Sequence, residues 1–294
     1  MIVAIASGKG GTGKTTVAAS LLSVWGDPAA AVDLDVEEPN LHLFLQPELT
    51  GLEKAEMEVP EADESKCTYC RACAELCQFK AITVLGTVLL TFPEMCHGCG
   101  GCLAVCPEDV LHPTTRELGE VCWGKAGGMD FLMGRLRVGE AMSPPLMRAV
   151  KKKLGQVMAR GPMDAIIDSP PGVSCPAVNA VMDADAVVLV TEPTPFGFHD
   201  FKLAWEAFTP LGMPMGAVIN RAGLGDDAVY RFCREQGIPI LAEIPYDRAL
   251  AEAYSRGAVI AEVSDEMRDA FVSLAQNIRK LAGQKSAQRE GGHA

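Results

Sequence analysis

The sequence has no excess of positive charge. Its 26 lysines and arginines stand against 38 aspartates and glutamates, which gives a formal net charge of -12 at pH 7. The phosphate backbone of a nucleic acid repels such an acidic chain, so broad, nonspecific binding to DNA or RNA is disfavoured. We therefore expect no nucleic-acid partner.

Long apolar runs are also missing. No apolar stretch approaches the roughly 20 residues that a membrane-spanning helix needs, and the N-terminus enters an apolar strand without a basic leader or cleavage site. These absences predict a cytoplasmic protein. The last predicted helix, from about Glu266 to Ala282, is amphipathic. Such helices pack on a core more often than they anchor a protein to a membrane, so we expect no membrane association.

Cysteine, by contrast, is abundant, with eleven in 294 residues. In a reducing compartment this number favours metal binding over disulfides. Eight of the cysteines form two C-x2-C-x2-C-x3-C runs separated by eighteen residues, with Pro107 after the second run and Gln78 after the first. The two runs are Cys67, Cys70, Cys73, Cys77 and Cys96, Cys99, Cys102, Cys106.

This spacing is typical of bacterial ferredoxins with two clusters, in which the fourth cysteine of each run binds the cluster of the other run. It predicts two 4Fe-4S clusters. One would be bound by Cys67, Cys70, Cys73 and Cys106, and the other by Cys77, Cys96, Cys99 and Cys102. Structural zinc is the competing interpretation, because paired CxxC motifs also bind zinc. Two zinc sites leave the repeated x3 spacing and Pro107 unexplained.

The first sixteen residues contain a phosphate-binding motif. An apolar run from Met1 to Ser7 predicts a buried strand, and it leads into GxxxxGK followed by Thr. The backbone N–H groups of such a loop surround a polyphosphate, the lysine reaches its terminal phosphates, and the threonine hydroxyl binds Mg²⁺. A helix predicted from Thr16 to Trp25 directs its positive end at the same anion. The predicted nucleotide contacts are Gly8, Gly10, Gly11, Thr12, Gly13, Lys14, Thr15 and Thr16.

Lys9 distinguishes this loop from an ordinary one. A second lysine directly after the first glycine makes the loop resemble the KGGxxGK motif of the MinD/ParA/Mrp ATPases, a family that includes the nitrogenase iron protein. In that family the extra lysine crosses a dimer interface to the ATP of the partner subunit. The resemblance implies ATP and Mg²⁺ as ligands, a homodimer in ATP, and catalytic roles for Lys9 and Lys14.

Three aspartates follow predicted strands. Asp33 and Asp35 end a strand that begins at Ala29, and Asp168 ends one that begins at Ala165. The carboxyl ends of parallel strands meet the ligand crevice of a doubly wound sheet, so these groups can reach Mg²⁺ or its waters. Both stretches resemble the switch segments of the family. The resemblance implies that Asp35 positions the attacking water and that Asp33 and Asp168 contact the magnesium shell.

Two later segments extend the resemblance to the adenine site. The sequence VINR, with Asn220 and Arg221, resembles the family motif whose asparagine contacts adenine, and IPYD, with Pro245, resembles the loop that packs on the base. Glu192 to Asp200 resembles a segment of those MinD-like proteins that carry an inserted ferredoxin. Asn220, Arg221 and Pro245 are therefore expected nucleotide contacts.

Short β-branched runs alternate with helical patterns along the chain, which predicts an α/β fold with a doubly wound, mostly parallel sheet. The resemblance gives a MinD-like P-loop ATPase carrying a small inserted α+β domain like bacterial ferredoxin. We expect the ATPase in residues 1–56 and 114–282, the insert in 57–113, and a disordered tail in 283–294. The acidic run from Glu53 to Glu64 predicts a solvated connector, and 114–143 shows no clear pattern.

Two cysteines outside the runs carry separate expectations. Cys122 has no nearby partner and is expected to be a small buried apolar residue. Cys175 follows Asp168 by seven residues, the offset at which the nitrogenase iron protein carries a cysteine of its subunit-bridging cluster. We weigh an intersubunit cluster at Cys175 against a buried or redox-sensitive thiol.

Together these features predict an ATPase whose dimer switch is coupled to two 4Fe-4S clusters. It would act in electron delivery to a metalloprotein or in assembly of a metal cofactor. MinD-like proteins with such an insert accompany small nitrogenase-cofactor-like proteins, so a client of that kind is expected. The alternative is a MinD-like positioning or regulatory ATPase whose clusters are structural or sense the redox state.

Overall fold

The computed structural model describes residues 1–26 and 28–291, and the side chains of 284–291 are left out of the description. Its helices and strands are β1 (Ile2–Ala6), α1 (Lys14–Val24), β2 (Ala29–Asp33), α2 (Leu41–Leu45), β3 (Glu48–Ala62), α3 (Ala72–Leu76), β4 (Ile82–Leu85), β5 (Val88–Thr91), α4 (Gly101–Val105), β6 (Leu111–Ala126), β7 (Met129–Leu136), α5 (Ser143–Met158), β8 (Asp164–Asp168), α6 (Cys175–Val181), β9 (Ala186–Thr191), α7 (Pro195–Phe208), β10 (Met215–Ala222), α8 (Ala228–Gln236), β11 (Ile240–Pro245), α9 (Arg248–Ser255) and α10 (Asp265–Gly291).

One nine-stranded sheet organises the molecule, in the order β11-β10-β9-β1-β8-β2-β7-β6-β3. All pairings from β11 to β7 are parallel, whereas β6 pairs antiparallel with both β7 and β3. Helices cover both faces, because the strands are apolar on both sides. In β1, Val3 and Ile5 pack with α1 and α10, while Ala4 and Ala6 pack on the opposite face. The predicted doubly wound, mostly parallel α/β fold is confirmed.

The C-terminal helix belongs to this core. Phe271, Leu274 and Ile278 of α10 are buried against the α1 side of the sheet, so its apolar face contacts the protein. The helix continues to Gly291, beyond the end expected at Ala282, and residues 292–294 of the predicted tail lie outside the described residues. No helix within 1–26 and 28–291 is both long and apolar enough to cross a membrane.

The acidic run before the first cysteines is not a solvated connector, so that prediction was wrong. It is part of β3, which pairs with β6 from Glu48↔Lys125 to Ala62↔Leu111. Residues 119–126 of β6 also pair with β7, whereas 111–117 pair with β3 alone. We call residues 56–62 and 111–118 the arm. The stretch 114–143, which shows no clear sequence pattern, forms most of β6 and all of β7. These strands join the arm to the sheet.

Residues 63–110, between the arm strands, form a separate small unit that we call the cysteine module. It contains α3, α4 and the antiparallel hairpin of β4 and β5. Its second cysteine run packs on the arm: Cys96 is buried with Met57, Val59 and Leu118. A Cβ on Gly98 would approach Met57 to 3.0 Å, so the module and the arm are in close contact.

A buried ion pair fastens the arm to the ATPase domain. Arg116 of β6 makes a two-pronged contact with Glu140, in the loop between β7 and α5, and the two side chains are only 10% and 2% exposed. Glu140 also accepts the backbone N–H groups of Ala141 and Met142. Arg116 and these hydrogen bonds lower the pKa of Glu140 against the opposing effect of burial. The ion pair therefore fixes the direction in which the arm leaves the sheet.

Replacing Glu140 with glutamine should destabilise the protein, because Arg116 would remain buried without its counter-charge. Loss of one partner of a buried pair costs about 3 kcal/mol. Glu117→Gln is the matched control, since its pair with Lys54 is exposed at 63% and 37% and should be worth less than about 1 kcal/mol. Urea unfolding measures both variants. Equal effects of the two substitutions would contradict this role of Arg116–Glu140.

Candidate functional site

The glycine-rich loop lies between β1 and α1, as its sequence predicts. Gly13 is the cap of α1 with φ of 96°, and Lys14, the first residue of the helix, is buried. Asn220, in β10, donates a hydrogen bond of 2.8 Å to the carbonyl of Thr12. A Cβ on Gly13 would lie 2.4 Å from the Asn220 amide nitrogen. Asn220 of β10 thus holds the loop in place, and only glycine fits at position 13.

The predicted carboxylates meet beside this loop. Asp33 and Asp168 are direct neighbours in the register of β2 and β8. Burial and the charge of Asp168 raise the pKa of Asp33 well above its usual value. Both oxygens of Asp33 accept backbone N–H groups, from Asp35 at 3.0 Å and from Leu41 at 2.9 Å. Asp33 therefore also holds the segment that carries Asp35.

Asp168 is the carboxylate with unused acceptor capacity. Neither of its oxygens has a hydrogen-bond partner of good geometry among the described residues, although the side chain is buried. Burial raises the pKa of Asp168 to about 7, with Thr15 and Lys14 lowering it and Asp35 raising it. A buried, unpaired carboxylate next to a threonine hydroxyl is a suitable contact for a hydrated divalent cation. The residues present therefore fit Mg²⁺.

Asp35 lies at the edge of the same pocket. Burial raises its pKa to about 6, and Lys14 is the strongest influence in the opposite direction. The side chain is near enough to Lys14 and Asp168 to interact with both. The structure thus brings together Lys14, Thr15, Asp33, Asp35 and Asp168, as expected for a site that binds a polyphosphate and a metal ion.

A cavity of about 130 Å³ adjoins the loop on the side of β10 and β11. Its lining includes the predicted residues Gly11, Gly13, Thr16, Asn220, Arg221 and Pro245. Tyr246, of the predicted IPYD segment, also lines it, as do Tyr254 and Ile260, which were not predicted. Tyr254 stacks on Phe44 with ring centroids 5.5 Å apart. A small, partly aromatic cavity that continues from a phosphate loop is suited to a nucleobase.

Lys9 has a partner within its own chain. Its ammonium lies 2.6 Å from Glu192, which follows β9 and is 9% exposed. Glu192 also binds Arg221 at 2.7 Å and accepts the Thr194 hydroxyl at 3.2 Å. Both cations lower the pKa of Glu192, although its burial acts in the opposite direction. No local sequence pattern indicates that Glu192 contacts Lys9, because these residues are 183 positions apart.

The cysteine runs line two cavities in the crossed combination expected from their spacing. We call the first set, which lines a narrow cavity of about 10 Å³, site I, and the second, which lines one of about 350 Å³, site II. Site I is formed by Cys67, Cys70, Cys73 and Cys106, and site II by Cys77, Cys96, Cys99 and Cys102. The sets match in exposure, since each has one buried, one exposed and two half-buried thiols.

The backbone of the two runs is also matched. Tyr69 N–H donates to the Cys67 sulfur and Gly98 N–H to the Cys96 sulfur, both at 3.4 Å. The left-handed conformation recurs at equivalent places, with φ of 53° and 69° in the first run and 64° and 69° in the second. Among the described residues, no group of three His, Cys, Asp or Glu side chains is arranged to hold a single metal ion.

The three other cysteines lie apart from these sets. Cys122 is buried in β6, as expected for a small apolar residue. Cys175 is exposed at the start of α6. Cys233 is buried in α8, and burial raises its pKa to about 11. Neither buried thiol is placed to join either cysteine site.

Comparison with known proteins identifies the family. The model of the CobQ/CobB/MinD/ParA nucleotide binding domain matches residues 3–260. The chain belongs to this family. Its match spans the phosphate loop, both switch carboxylates and the base cavity, but it also runs across the cysteine module. Nucleotide binding is therefore the property that this family membership supports.

Individual proteins agree with this assignment. An uncharacterized protein of Methanocaldococcus jannaschii is 31% identical over 275 residues, covering 90% of this chain and 93% of that protein. A protein of Pyrococcus horikoshii named iron-sulfur cluster carrier protein is 24% identical over 296 residues, covering 94% and 84%. The septum site-determining protein MinD of Pyrococcus horikoshii, complexed with Mg-ADP, has a TM-score of 0.57 at 23% identity, covering 97% and 98%. The MinD-like fold is thus confirmed.

Gly13→Ala should weaken ATP binding by about tenfold or more. The new methyl group would require a left-handed alanine, at a cost of about 1 to 2 kcal/mol, and would collide with Asn220. Gly155→Ala, in α5, is the control, because nothing lies within 4 Å of a Cβ there, its φ is not in the left-handed region and it lies outside the nucleotide site. Calorimetric titration with Mg-ATP compares the two. Similar affinities for both variants would contradict the contact between Gly13 and Asn220 as a constraint on the loop.

Proposed function

We propose that this protein is an ATP-hydrolysing iron-sulfur protein. In this proposal an ATP-dependent homodimer is coupled to two 4Fe-4S clusters, and the protein delivers electrons to a client metalloprotein or assembles its metal cofactor. The observation that carries the proposal is the crossed arrangement of eight cysteines around two cavities, on an arm that is continuous with the nucleotide-binding sheet.

The nucleotide site supports hydrolysis as well as binding. Thr15 and Asp168 would hold Mg²⁺, directly or through its waters, and the ion would neutralise phosphate charge. Lys14, buried at the start of α1, faces the same charge from the protein side. Asp35 is held by the hydrogen bond from its N–H to Asp33 and can accept a hydrogen bond from a water aimed at the γ-phosphate. With a pKa of about 6, Asp35 is largely ionised at neutral pH and available as an acceptor.

The contacts of Lys9 suggest how dimerisation is controlled. Glu192 neutralises Lys9 within one subunit, and the flanking Arg221 lies beside the base cavity. If Lys9 is to reach the phosphates of a partner subunit, its 2.6 Å contact with Glu192 must open. Arg221 remains as a second cation for Glu192, which limits the cost of separating this buried carboxylate from Lys9.

The cysteine module supports clusters rather than zinc. A tetrahedral zinc site needs four sulfurs about 2.3 Å from one ion, and the cysteines are not grouped around one point in that way. In a cube each thiolate binds a different iron, so the sulfurs stand around a larger volume. The N–H···S bonds from Tyr69 and Gly98 would stabilise the negative charge of such clusters. The name of the Pyrococcus horikoshii relative points in the same direction.

Anaerobically purified protein should contain about eight irons per chain, because eight thiolates suffice for two cubes. Cys67→Ser, in site I, and Cys96→Ser, in site II, should each reduce the content to about four irons and leave ATP binding intact. Cys175→Ser is the control, since this exposed thiol lies outside both sites. Iron, sulfide and zinc analysis distinguishes the cases. Zinc in place of iron, or one cube in the unmodified protein, would refute the cluster assignment.

The two loop lysines should separate binding from dimerisation. Lys14→Ala should weaken ATP binding by about 100-fold, because charge-assisted contacts to the phosphates are lost. Lys9→Ala should still bind ATP but remain monomeric and fail to hydrolyse it. Sedimentation and phosphate release in ATP measure both properties, with Lys54→Ala as an exposed control on β3. Normal dimerisation and turnover of the Lys9 variant would show that Lys9 has no role across an interface.

A further inference from the structure

The two cysteine sites share one backbone but differ in the side chains at equivalent positions. In site II the two left-handed residues are Gly98 and Gly100, which adopt this conformation without strain. In site I the same positions carry Tyr69 and Arg71. A side chain in this region crowds its own backbone, so glycine would be the easier choice for folding. The second run has Gly100 at the position equivalent to Arg71, so glycine is sufficient for this backbone conformation.

Arg71 also brings charge to site I. It lines the narrow cavity together with the four cysteines of that site, and Glu108 is the other charged residue in the lining. The described residues include no carboxylate in an ion pair with Arg71. The lining of site II includes the carboxylate of Glu58 and no lysine or arginine. His97 lines it as well, stacked on Phe79.

The other features that influence the reduction potential of a bound cluster are matched between the two sites. Each site receives one N–H···S bond of 3.4 Å, and the exposure of the thiols is matched. Both walls are apolar, with Leu76, Ile82 and Leu103 at site II and Val84, Leu89 and Val110 at site I. An apolar wall disfavours the additional negative charge of a reduced cluster, and this effect acts at both sites.

We propose that Arg71 makes site I the more easily reduced of the two clusters, so that the first electron taken up by the protein resides there. The inference rests on the proposed function, in which both sites hold 4Fe-4S clusters. Each cluster accepts one electron from a low-potential one-electron donor and becomes more negative by one charge. Each lining holds one carboxylate, Glu108 at site I and Glu58 at site II, so Arg71 is the charge in which the two linings differ. This cation stabilises the reduced form at site I.

The difference in reduction potential between the two sites gives electron transfer through the module a direction. Site II packs against the arm through Cys96, Met57 and Leu118, whereas site I lies on the part of the module bounded by Arg71 and Pro107. An electron that enters at either site would move to site I. The Arg71 side of the module is then the position from which a reduced cluster passes its electron to an acceptor.

The test is an anaerobic redox titration of the full-length protein with both clusters, followed by electron paramagnetic resonance. The unmodified protein should show two reduction steps. Arg71→Gln should lower the upper step and leave the lower one unchanged, because the cation is removed and the left-handed position keeps a side chain. Arg71→Lys should retain the gap. Cys70→Ser, which disrupts site I, should remove the upper step.

Site II offers reciprocal variants. Gly100→Arg places the same side chain at the equivalent backbone position, and Glu58→Gln removes the carboxylate that lines site II, so each should raise the lower step. The gap due to Arg71 should also shrink as ionic strength increases, because an exposed charge is screened by salt. A purely structural role of Arg71 would produce neither this salt dependence nor rescue by lysine.

The outcomes separate the two levels of the argument. Eight irons per chain with potentials that Arg71→Gln leaves unchanged, or shifts equally, would overturn this inference and leave the proposed function standing. Fewer than eight irons in the unmodified protein would overturn both. A lower upper step in Arg71→Gln, restored in Arg71→Lys, would support the assignment of the first electron to site I.

Discussion

The repulsion between two buried carboxylates is the constraint on which the nucleotide site depends. The register of β2 and β8 places Asp33 beside Asp168, and burial together with their mutual repulsion raises the pKa of Asp33. Asp33 is compensated by two backbone N–H groups, which fixes the segment up to Leu41. Neither carboxylate oxygen of Asp168 has a hydrogen-bond partner of good geometry among the described residues, and the charge of Lys14 acts to lower its pKa. A divalent cation would relieve this repulsion, so the site is suited to one.

The same edge of the sheet leads to the cysteine module. Val36, next to Asp35, accepts a hydrogen bond from Leu136 at the end of β7 and packs over Gly134. β7 pairs with β6, whose free half forms the arm, and Glu140 fixes that half through Arg116. Few contacts therefore separate the segment that would sense a γ-phosphate from the strand that carries site II. This continuity is a physical basis for coupling, because packed elements move as units rather than deform.

Sequence patterns were most informative where the chemistry requires a local arrangement. The glycine loop and the paired cysteine spacing each prescribe their own backbone, so both lie where their motifs predict. The arm was missed because its charges suggested a solvated connector. Ala55, Met57 and Val59 in fact alternate with Glu56 and Glu58, which is the period-two pattern of a strand with one buried face. The buried face of this strand became recognisable only in the structure, where Leu118 and Cys96 pack against it.

The sequence by itself determined the family and the parallel α/β fold, and it predicted the residues that the structure brings together at both sites, because these depend on short motifs and on apolar periodicity. Only the tertiary structure decided that Glu192 holds Lys9 and that Tyr254, which lines the cavity beside the phosphate loop, stacks on Phe44. These contacts join residues far apart in the chain. They are not encoded in local spacing, because they arise from how the strands are ordered and how their ends meet.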